Sequence, residues 1–532
     1  MRASRLAALA PACLGLILLS ACQSVVAGPD REAADLLITG GTVFDGSLAD
    51  GRRVDVVVDD GRISFVGEGA RARFNAAKTI VAEGLIVAPG FIDPHTHADE
   101  DLSSPDAPRR ANLAFAFQGV SSVVIGNDGF GAPDIAEQAQ RMRGMGVGTN
   151  VAFLAGFGPI REAAVGLANR APTEAELELM KASVRKSMCE GAWGLSAGLY
   201  YVPQNYAATD EVVALASVAG ALGGYYDTHM RDESTYNISV TGAVAETLEI
   251  GRRAGLPVHI SHIKALGPEV WGKSAEMIAL IEAAQESGQR VSADQYPWSA
   301  SGTRISNALV PRWALEGGLY ALRMRFDDPD QQAAIRSGIA DGLVRRGGAD
   351  KLLITGSLEG AEVETGKTLA EVARSMGLDP VAAAIAILKQ GDARVASFNM
   401  SEVDIAEFAH REWVVTGSDG SSGHPRKYAS FPKAFRDLVA DGDMPLARFI
   451  RRSSAQTAEI VGLVDRGYLK PGYAADIVIF DAREFAPRAS YQEPDKLSTG
   501  VRFLIVNGEP LISDGKYTGA LPGLPLVKRT QC

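Results

Sequence analysis

Residues 89–97 read Pro-Gly-Phe-Ile-Asp-Pro-His-Thr-His, and this stretch decides how the rest of the chain is interpreted. Its Phe-Ile-Asp segment, preceded by a Pro-Gly turn, predicts a short buried strand. His95 and His97 are two residues apart, and residues at that spacing on a strand face the same side. Two converging imidazoles form half of a tetrahedral metal site, but the same spacing also suits two ordinary polar residues near a strand end. The stretch therefore predicts a metal site only if other strands supply further ligands.

The composition excludes some classes of function. The chain has 532 residues, of which 46% are hydrophobic and 22% charged, enough for a large folded domain and a smaller one. The formal net charge is −11 at pH 7, and no run of Lys or Arg reverses it locally. Because phosphates are attracted by a basic field, we expect no nucleic-acid partner.

The first 22 residues predict export. Two arginines and the apolar run 14–19, which is too short to span a membrane, precede Leu-Ser-Ala-Cys at residues 19–22. This end resembles a bacterial lipoprotein signal in which residues 1–21 are removed and Cys22 is lipidated, and Gln23 favours the outer membrane. A generic secretory signal is the alternative. We expect a protein on the periplasmic side that touches the membrane only through its lipid anchor.

The cysteines predict no disulfide framework. Cys13 leaves with the signal and Cys22 carries the lipid, so only Cys189 and Cys532 remain of the four. We expect Cys189, within Ser-Met-Cys-Glu-Gly-Ala-Trp, to be a buried small apolar residue rather than a nucleophile.

The middle of the chain alternates strand and helix patterns. Eight repeats of this kind predict a parallel (β/α)8 TIM barrel, an α/β fold whose active-site residues lie at the carboxyl ends of the strands. The predicted strands are 91–97, 121–128, 150–157, 193–199, 225–231, 257–264, 290–297 and 413–420.

The two ends of the chain predict a separate small unit. Residues 35–88 and 467–526 alternate apolar and polar residues between turn glycines, which is typical of short antiparallel strands, and we expect them to join into one β-sandwich. The barrel then occupies residues 89–466. Within it, residues 298–412 form a much longer connection than any other, which we interpret as a lid or specificity insertion over the barrel mouth.

Polar residues gather at the predicted strand ends. His95 and His97 end the first strand, His229 the fifth, His262 the sixth and Asp419 the eighth. Four of the seven histidines lie at these positions, which chance placement explains poorly. Since the carboxyl ends of barrel strands meet at one rim, the sequence predicts a metal site there.

This pattern resembles the amidohydrolase superfamily, and several longer stretches resemble its N-acyl-D-amino-acid deacylases (D-aminoacylases) over residues 35–523. The stretches are EGAWGLSAGLYYVP, YYDTHMRDE, ISHIKALG, ADQYPW, GSDGSSGHPRKYASFPKAF and GYLKPGYAADIVIFD. The resemblance implies a distorted (β/α)8 barrel, a flanking β-sandwich and zinc at the site.

The resemblance also assigns metal ligands. His95 and His97 match one metal position together with Asp419, and His229 and His262 match the other. The family bridges the two with a cysteine in a Gly-Asn-Cys-Gly turn, whereas residues 126–129 read Gly-Asn-Asp-Gly. We expect Asp128 to be the bridging ligand, because zinc accepts oxygen as well as sulfur. The alternative is a turn residue that binds nothing, so the resemblance leaves one or two zinc ions. The fourth strand ends without the lysine that bridges metals in related hydrolases.

Three residues match the family's contacts to the substrate carboxylate: Lys264, Tyr296 and Arg426. A carboxylate suits a fixed cation and the two-pronged guanidinium, although each residue could instead be a structural ion pair or a buried tyrosine. A further family hydroxyl contact falls at Gly302, with Ser301 as a neighbouring replacement. Three charged residues near the mouth are expected to form solvated salt bridges: Arg231, Asp232 and Glu233.

The expected reaction is zinc-dependent hydrolysis of the amide bond of an N-acyl-D-amino acid, which releases a carboxylate and a D-amino acid. Asp419 is the expected general base and returns its proton to the leaving amine. One alternative within the same superfamily is a dipeptidase that acts on short peptides, or a cyclic-amide hydrolase. A catalytically inactive, lipid-anchored binding protein is another.

Overall fold

The computed structural model describes residue 1 and residues 31–532. The predicted signal and the lipidation site at Cys22 lie outside the described residues. No helix within residues 31–532 combines the length and the apolar character needed to cross a bilayer.

Eight parallel strands form the central barrel, as predicted. Each pairs with the next, and a parallel bridge between Thr96 and Gly420 joins the last strand to the first. The segment VSSVVI of the second strand is wholly buried, as is typical of parallel strands covered on both faces. The strands are β1 (Phe91–Asp93), β2 (Val120–Ile125), β3 (Asn150–Gly156), β4 (Gly194–Gly198), β5 (Tyr225–His229), β6 (Val258–Ile260), β7 (Val291–Gln295) and β8 (Val414–Thr416).

Helices cover the outside of the barrel. The longest of these begins at Glu174 with a capping box between Thr173 and Glu176 and ends at Gly191, a left-handed residue that stops the helix. The main helices around the barrel are Ile135–Met145, Phe157–Val165, Glu174–Glu190, Thr209–Ala221, Val240–Ala254, Ser274–Glu286, Glu402–Ala409, Arg426–Phe435, Leu446–Ser453 and Ala455–Val461.

Two further sheets come from the chain ends and share a core that includes Val56, Ile477 and Ile505. The four-stranded sheet contains Glu32–Thr39, Asp55–Asp59, Arg62–Gly67 and Phe74–Val81. The seven-stranded sheet contains Thr42–Val43, Arg52–Arg53, Ile86–Pro89, Ile477–Phe480, Val501–Val506, Glu509–Ser513 and Lys516–Tyr517. The expectation of purely antiparallel strands is wrong for one pair in each sheet. An intervening hairpin makes the chain return in the same direction, so these pairs are parallel.

The connection between β7 and β8 folds as a unit with its own core. Its antiparallel sheet contains Ala300–Arg304, Leu352–Leu358 and Asp392–Phe398. Its helices are Ile305–Leu309, Gly318–Arg325, Pro329–Arg345, Leu369–Met376 and Pro380–Gln390. Residues such as Ile335, Ile339 and Leu352 form a hydrophobic cluster separate from that of the barrel. The unit and the barrel rim together line one cavity of about 810 Å³.

A disulfide joins Cys189 to Cys532, with their Cα atoms 5.9 Å apart. The expectation that Cys189 is a buried small apolar residue is therefore wrong, because Cys189 is exposed and disulfide-bonded. The two residues are 343 positions apart, and they meet because the C-terminal segment runs back along the barrel. There Pro525–Leu526 pairs with β3, and Trp193 Nε1 donates to the Leu526 carbonyl at 2.8 Å.

Candidate metal centre

The predicted ligands converge at the carboxyl rim of the barrel. His229 is the last residue of β5, and the others lie two to four positions beyond their strands rather than on them. Because the loops turn inward over the rim, all of them still reach one place. The six residues form two groups whose ligand atoms lie within 4.8 Å of one another: His95, His97, Asp128 and Asp419, and Asp128, His229 and His262.

Asp128 belongs to both groups. Its Oδ1 lies 3.4 Å from His95 Nε2 and 3.3 Å from His262 Nε2. Its Oδ2 lies 3.5 Å from His97 Nε2. The carboxylate that replaces the family's cysteine therefore stands between the two groups, where a shared ligand has to be.

The donor atoms fit a divalent ion of the transition series. Among residues 31–532, two buried atoms that face one another in this centre have no hydrogen-bond partner: His95 Nε2 and Asp128 Oδ1, which lie 3.4 Å apart. Buried polar atoms are nearly always paired, so such a set requires an explanation. Imidazole nitrogens with carboxylate oxygens are ligands that zinc and its neighbours prefer. The residues present can hold one or two such ions, with Asp128 common to both positions.

Three of the candidate ligands adopt a left-handed backbone conformation. The φ angles are 56° at Asp128, 38° at His262 and 48° at Asp419. Residues with a side chain rarely adopt this region, and such strain concentrates at functional sites. Gly129 follows Asp128 because a Cβ there would lie 2.0 Å from Gln204 Oε1.

Burial and nearby charges set the protonation of the imidazoles. Burial lowers the pKa of His95 to about 4 and that of His229 to about 3, so both are neutral near pH 7. Burial and Lys264 oppose the charged form of His262, but the surrounding carboxylates, Asp419 foremost, raise its pKa to about 10. The carboxylates of the centre therefore favour the charged form of His262 in the metal-free protein.

The three predicted carboxylate contacts lie together beside the metal ligands. Both cations lie near the Tyr296 ring, whose centroid is 5.8 Å from Lys264 Nζ and 4.9 Å from Arg426 Cζ. Arg426 Nη1 is 2.6 Å from Asp419 Oδ2, and Lys264 Nζ donates to Glu233 Oε1 at 2.5 Å. Both cations line the large cavity.

Gly302 and Ser301 differ from the family's hydroxyl contact. A Cβ at Gly302 would lie 3.0 Å from Arg426 Nη2, so the glycine lets the guanidinium approach the backbone. The Ser301 hydroxyl donates to Asn399 Oδ1 at 3.3 Å and accepts from Arg346 Nη1 at 3.3 Å. It therefore faces Arg346 rather than Arg426.

The expectation of solvated salt bridges at the mouth is wrong. Arg231 pairs with Glu246 at 2.8 Å, Asp232 accepts from the backbone N–H of Ser234, and Glu233 pairs with Lys264. All three charged residues are buried, and Arg231 also donates to the Asn205 and Ala207 carbonyls. Glu233 Oε1 also lies 3.3 Å from His262 Nδ1, so it supports a ligand from behind.

Sequence reasoning missed a layer of polar residues beneath the ligands. His259 Nε2 contacts Asp294 Oδ2 at 3.1 Å, and that oxygen lies 3.8 Å from His95 Nδ1. Burial raises the pKa of Asp93 to about 8 and that of Asp227 to about 6. Asp93 and Asp227 each precede a ligand histidine by two positions, and strand alternation from the histidines would have found them.

A (β/α)8 barrel with histidines and a carboxylate at its carboxyl rim defines the amidohydrolase class, and comparisons with known proteins agree. A model described as "Amidohydrolase family" matches residues 315–512. A D-aminoacylase of Alcaligenes xylosoxydans xylosoxydans is 31% identical over 528 residues, which cover 94% of this chain and 99% of the relative. An N-acyl-D-glutamate deacylase of the same organism is 32% identical over 506 residues, which cover 90% and 93%.

A solved structure agrees as well. The N-acyl-D-glutamate deacylase from Bordetella bronchiseptica, complexed with zinc and a phosphonate inhibitor, superposes with a TM-score of 0.77 at 31% identity, and the match covers 93% of this chain and 100% of that one. The chain belongs to the N-acyl-D-amino-acid deacylase (D-aminoacylase) family of amidohydrolases.

Proposed function

We propose that this protein uses zinc to hydrolyse the amide bond of N-acyl-D-amino acids, releasing a carboxylic acid and a free D-amino acid. The observation that carries the proposal is the position of Asp128 in both ligand groups, in one cavity with Lys264 and Arg426. The names of the relatives and the zinc in the Bordetella bronchiseptica structure support the substrate class and the metal.

Lys264 and Arg426 orient the substrate. Two cations near the Tyr296 ring suit the α-carboxylate, and the guanidinium can bind it with two parallel hydrogen bonds. Arg426 also contacts Asp419, so a bound carboxylate competes with Asp419 for the same guanidinium. Substrate binding thereby frees Asp419 for proton transfer.

Asp419 moves the proton. When bound, a zinc ion supplies Lewis acidity, which polarises the acyl carbonyl and makes water nucleophilic near neutral pH. Asp419 Oδ1 faces His97 and Oδ2 faces Arg426, so the carboxylate lies between the ligands and the substrate cations. It takes a proton from the attacking water and passes it to the amine nitrogen, which leaves only when protonated.

A kinetic panel tests the proposal. Zinc-loaded protein of measured metal content is assayed on N-acyl-D-amino acids, their L-enantiomers, dipeptides and cyclic amides. We expect the D-series to react fastest, with loss of activity in a chelator and recovery with zinc. Preference for dipeptides or cyclic amides would contradict the deacylase assignment. No metal and no activity after zinc addition would favour a binding protein instead.

We also propose that the protein is exported and anchored by lipid at Cys22. The Cys189–Cys532 disulfide supports an oxidising compartment, where such bonds persist. Fractionation of the source cells tests this. We expect wild-type protein in the envelope membranes and the Cys22→Ala variant outside them, whereas cytoplasmic wild-type protein would contradict export.

A further inference from the structure

The insertion contributes a buried cation to the large cavity. Arg346 directly follows the helix Pro329–Arg345 and is 2% exposed. It lines the same cavity as Asp128, Asp419 and Arg426. Because the guanidinium keeps its proton at any physiological pH, this wall carries a permanent positive charge.

The partners of Arg346 are hydroxyl groups. Its Nε donates to Tyr236 Oη at 2.8 Å, its Nη1 to Ser301 Oγ at 3.3 Å and its Nη2 to Tyr200 Oη at 3.0 Å. Tyr200 donates its own proton to the Asn307 carbonyl at 2.6 Å, so it accepts from Arg346 as a neutral phenol. These hydroxyls satisfy part of the hydrogen bonding but bring no negative charge.

In the described part of the chain, no carboxylate pairs with Arg346. Within residues 31–532, no carboxylate oxygen lies within 4.0 Å of its guanidinium nitrogens. Two carboxylates that line the same cavity pair with other cations, Glu233 with Lys264 and Glu359 with Arg304. A buried charge without a counter-ion is costly, so the position suits an anion that arrives from outside.

The surroundings add positive charge. Arg312 Cζ lies 3.9 Å from the centroid of the Tyr200 ring, and Arg345 Cζ lies 5.0 Å from that of the Tyr236 ring. These two arginines line a second cavity of about 530 Å³, together with Asp341. The two tyrosines line both cavities and separate them.

Arg346 lies within reach of a substrate held at the metal centre. Ser301 contacts Arg346, while the next residue, Gly302, packs against Arg426. Because adjacent strand residues face opposite sides, the two guanidiniums contact opposite faces of this strand, and both line the same cavity. Tyr200, whose hydroxyl accepts from Arg346, also lies beside the metal centre: its ring centroid is 5.3 Å from that of the His229 ring.

We infer that Arg346, with the hydroxyls of Tyr200 and Tyr236, binds a second negatively charged group of the substrate. The inference rests on the proposed function and narrows it: the substrate is a dianion whose α-carboxylate meets Arg426 and whose second carboxylate meets Arg346. That carboxylate ends either the D-amino-acid side chain or the acyl group.

Matched substrate pairs test the inference and locate the second carboxylate. One pair is N-acetyl-D-glutamate and N-acetyl-D-glutamine, and the other is N-succinyl-D-leucine and N-butyryl-D-leucine. We expect the charged member of one pair to be preferred by about tenfold or more in kcat/KM, as lost charge-assisted hydrogen bonds commonly cost. In the Arg346→Met variant, the ratio of kcat/KM for the charged member over that for the uncharged member should fall to about one. In the Arg345→Met variant, which alters the neighbouring cavity, this ratio should stay as in the wild type. No preference in either pair, or a preference that survives Arg346→Met, would overturn the inference.

Binding without turnover separates this inference from the proposed function. Glutarate is a dianion without an amide bond, and its affinity for zinc-loaded protein is measured by calorimetry beside that of butyrate. We expect wild-type protein to bind glutarate at least tenfold more tightly than Tyr236→Phe, a milder change that serves if Arg346→Met does not fold. Binding that depends on Tyr236 without any amidase activity would refute the function and keep the anion site. Amidase activity with Tyr236-independent glutarate binding would refute the site alone.

Discussion

The two walls of the large cavity differ in how their charges are balanced. The barrel wall places Asp128 and Asp419 among imidazoles, two of which are neutral because of burial. The insertion wall surrounds Arg346 with phenols and a serine. Since buried charge must be compensated, the ligand groups that share Asp128 are complementary to a cation, and the surroundings of Arg346 are complementary to an anion. The charge that a protein leaves uncompensated thus indicates the ligand that its cavity is shaped to receive.

The largest effect should come from removing the negative charge of Asp419, the proposed general base. Asp419→Asn keeps the size of the side chain, and asparagine tolerates the left-handed backbone found there. We expect kcat to fall by about a hundredfold to ten-thousandfold, the usual contribution of a general acid–base, while zinc stays bound by the remaining ligands. Turnover and metal content are measured on the same sample. Glu359→Gln at the cavity rim is the control, and near-native turnover of zinc-loaded Asp419→Asn would refute the role.

A smaller effect is expected from breaking the bridge on the barrel wall. Asp128→Asn keeps the shape but lowers the charge between the two ligand groups. Zinc affinity should fall by at least the roughly 10–100-fold that loss of a supporting partner costs a metal ligand. Competition with a chromophoric chelator measures the change. Asp128→Cys is the matched variant and should bind zinc again while favouring softer ions such as cadmium. An unchanged affinity in Asp128→Asn would show that this residue is not a ligand.

The smallest expected effect is the release of protons when the metal binds. The pKa of His262 is raised to about 10, so the metal-free imidazole is charged at pH 7.5, whereas a metal ligand must be neutral. Metal binding should release about one proton from this ring, and affinity should rise with pH until about pH 10. Calorimetry in buffers of different ionisation enthalpy measures the release, with His262→Gln as the comparison. A heat that does not depend on the buffer would contradict the charged state of His262.

The barrel and its ligands could be predicted because their signals are local. Each strand is a short buried run, and the topology of a parallel barrel brings all carboxyl ends to one rim. His229 and His262 therefore had to meet, although 33 residues separate them. The backbone strain at Asp128 follows from the turn and could not be inferred from composition.

The remaining features depend on contacts that no local pattern encodes. Cys189 and Cys532 meet only because the chain end follows β3. Glu233 is buried against Lys264 and His262, which follow a different strand, so its burial could not be deduced from its sequence neighbours. Arg346 follows an ordinary amphipathic helix, and only the packing of the insertion turns it toward the cavity.

The barrel is closed by few hydrogen bonds between its first and last strands. Between the first and last strands, the ladder is reduced to a bridge at Thr96 and Gly420, with Asp419 N donating to the His95 carbonyl and His97 N to the Gly420 carbonyl. This seam joins segments more than 300 residues apart, and both sides carry metal ligands. An ion bound by these residues would therefore join the two sides of the seam, in addition to its role in the reaction. Amide hydrogen exchange at His97 and Asp419 should slow on zinc loading far more than exchange within β3. An equal change at the seam and in β3 would show that the seam is already closed without zinc.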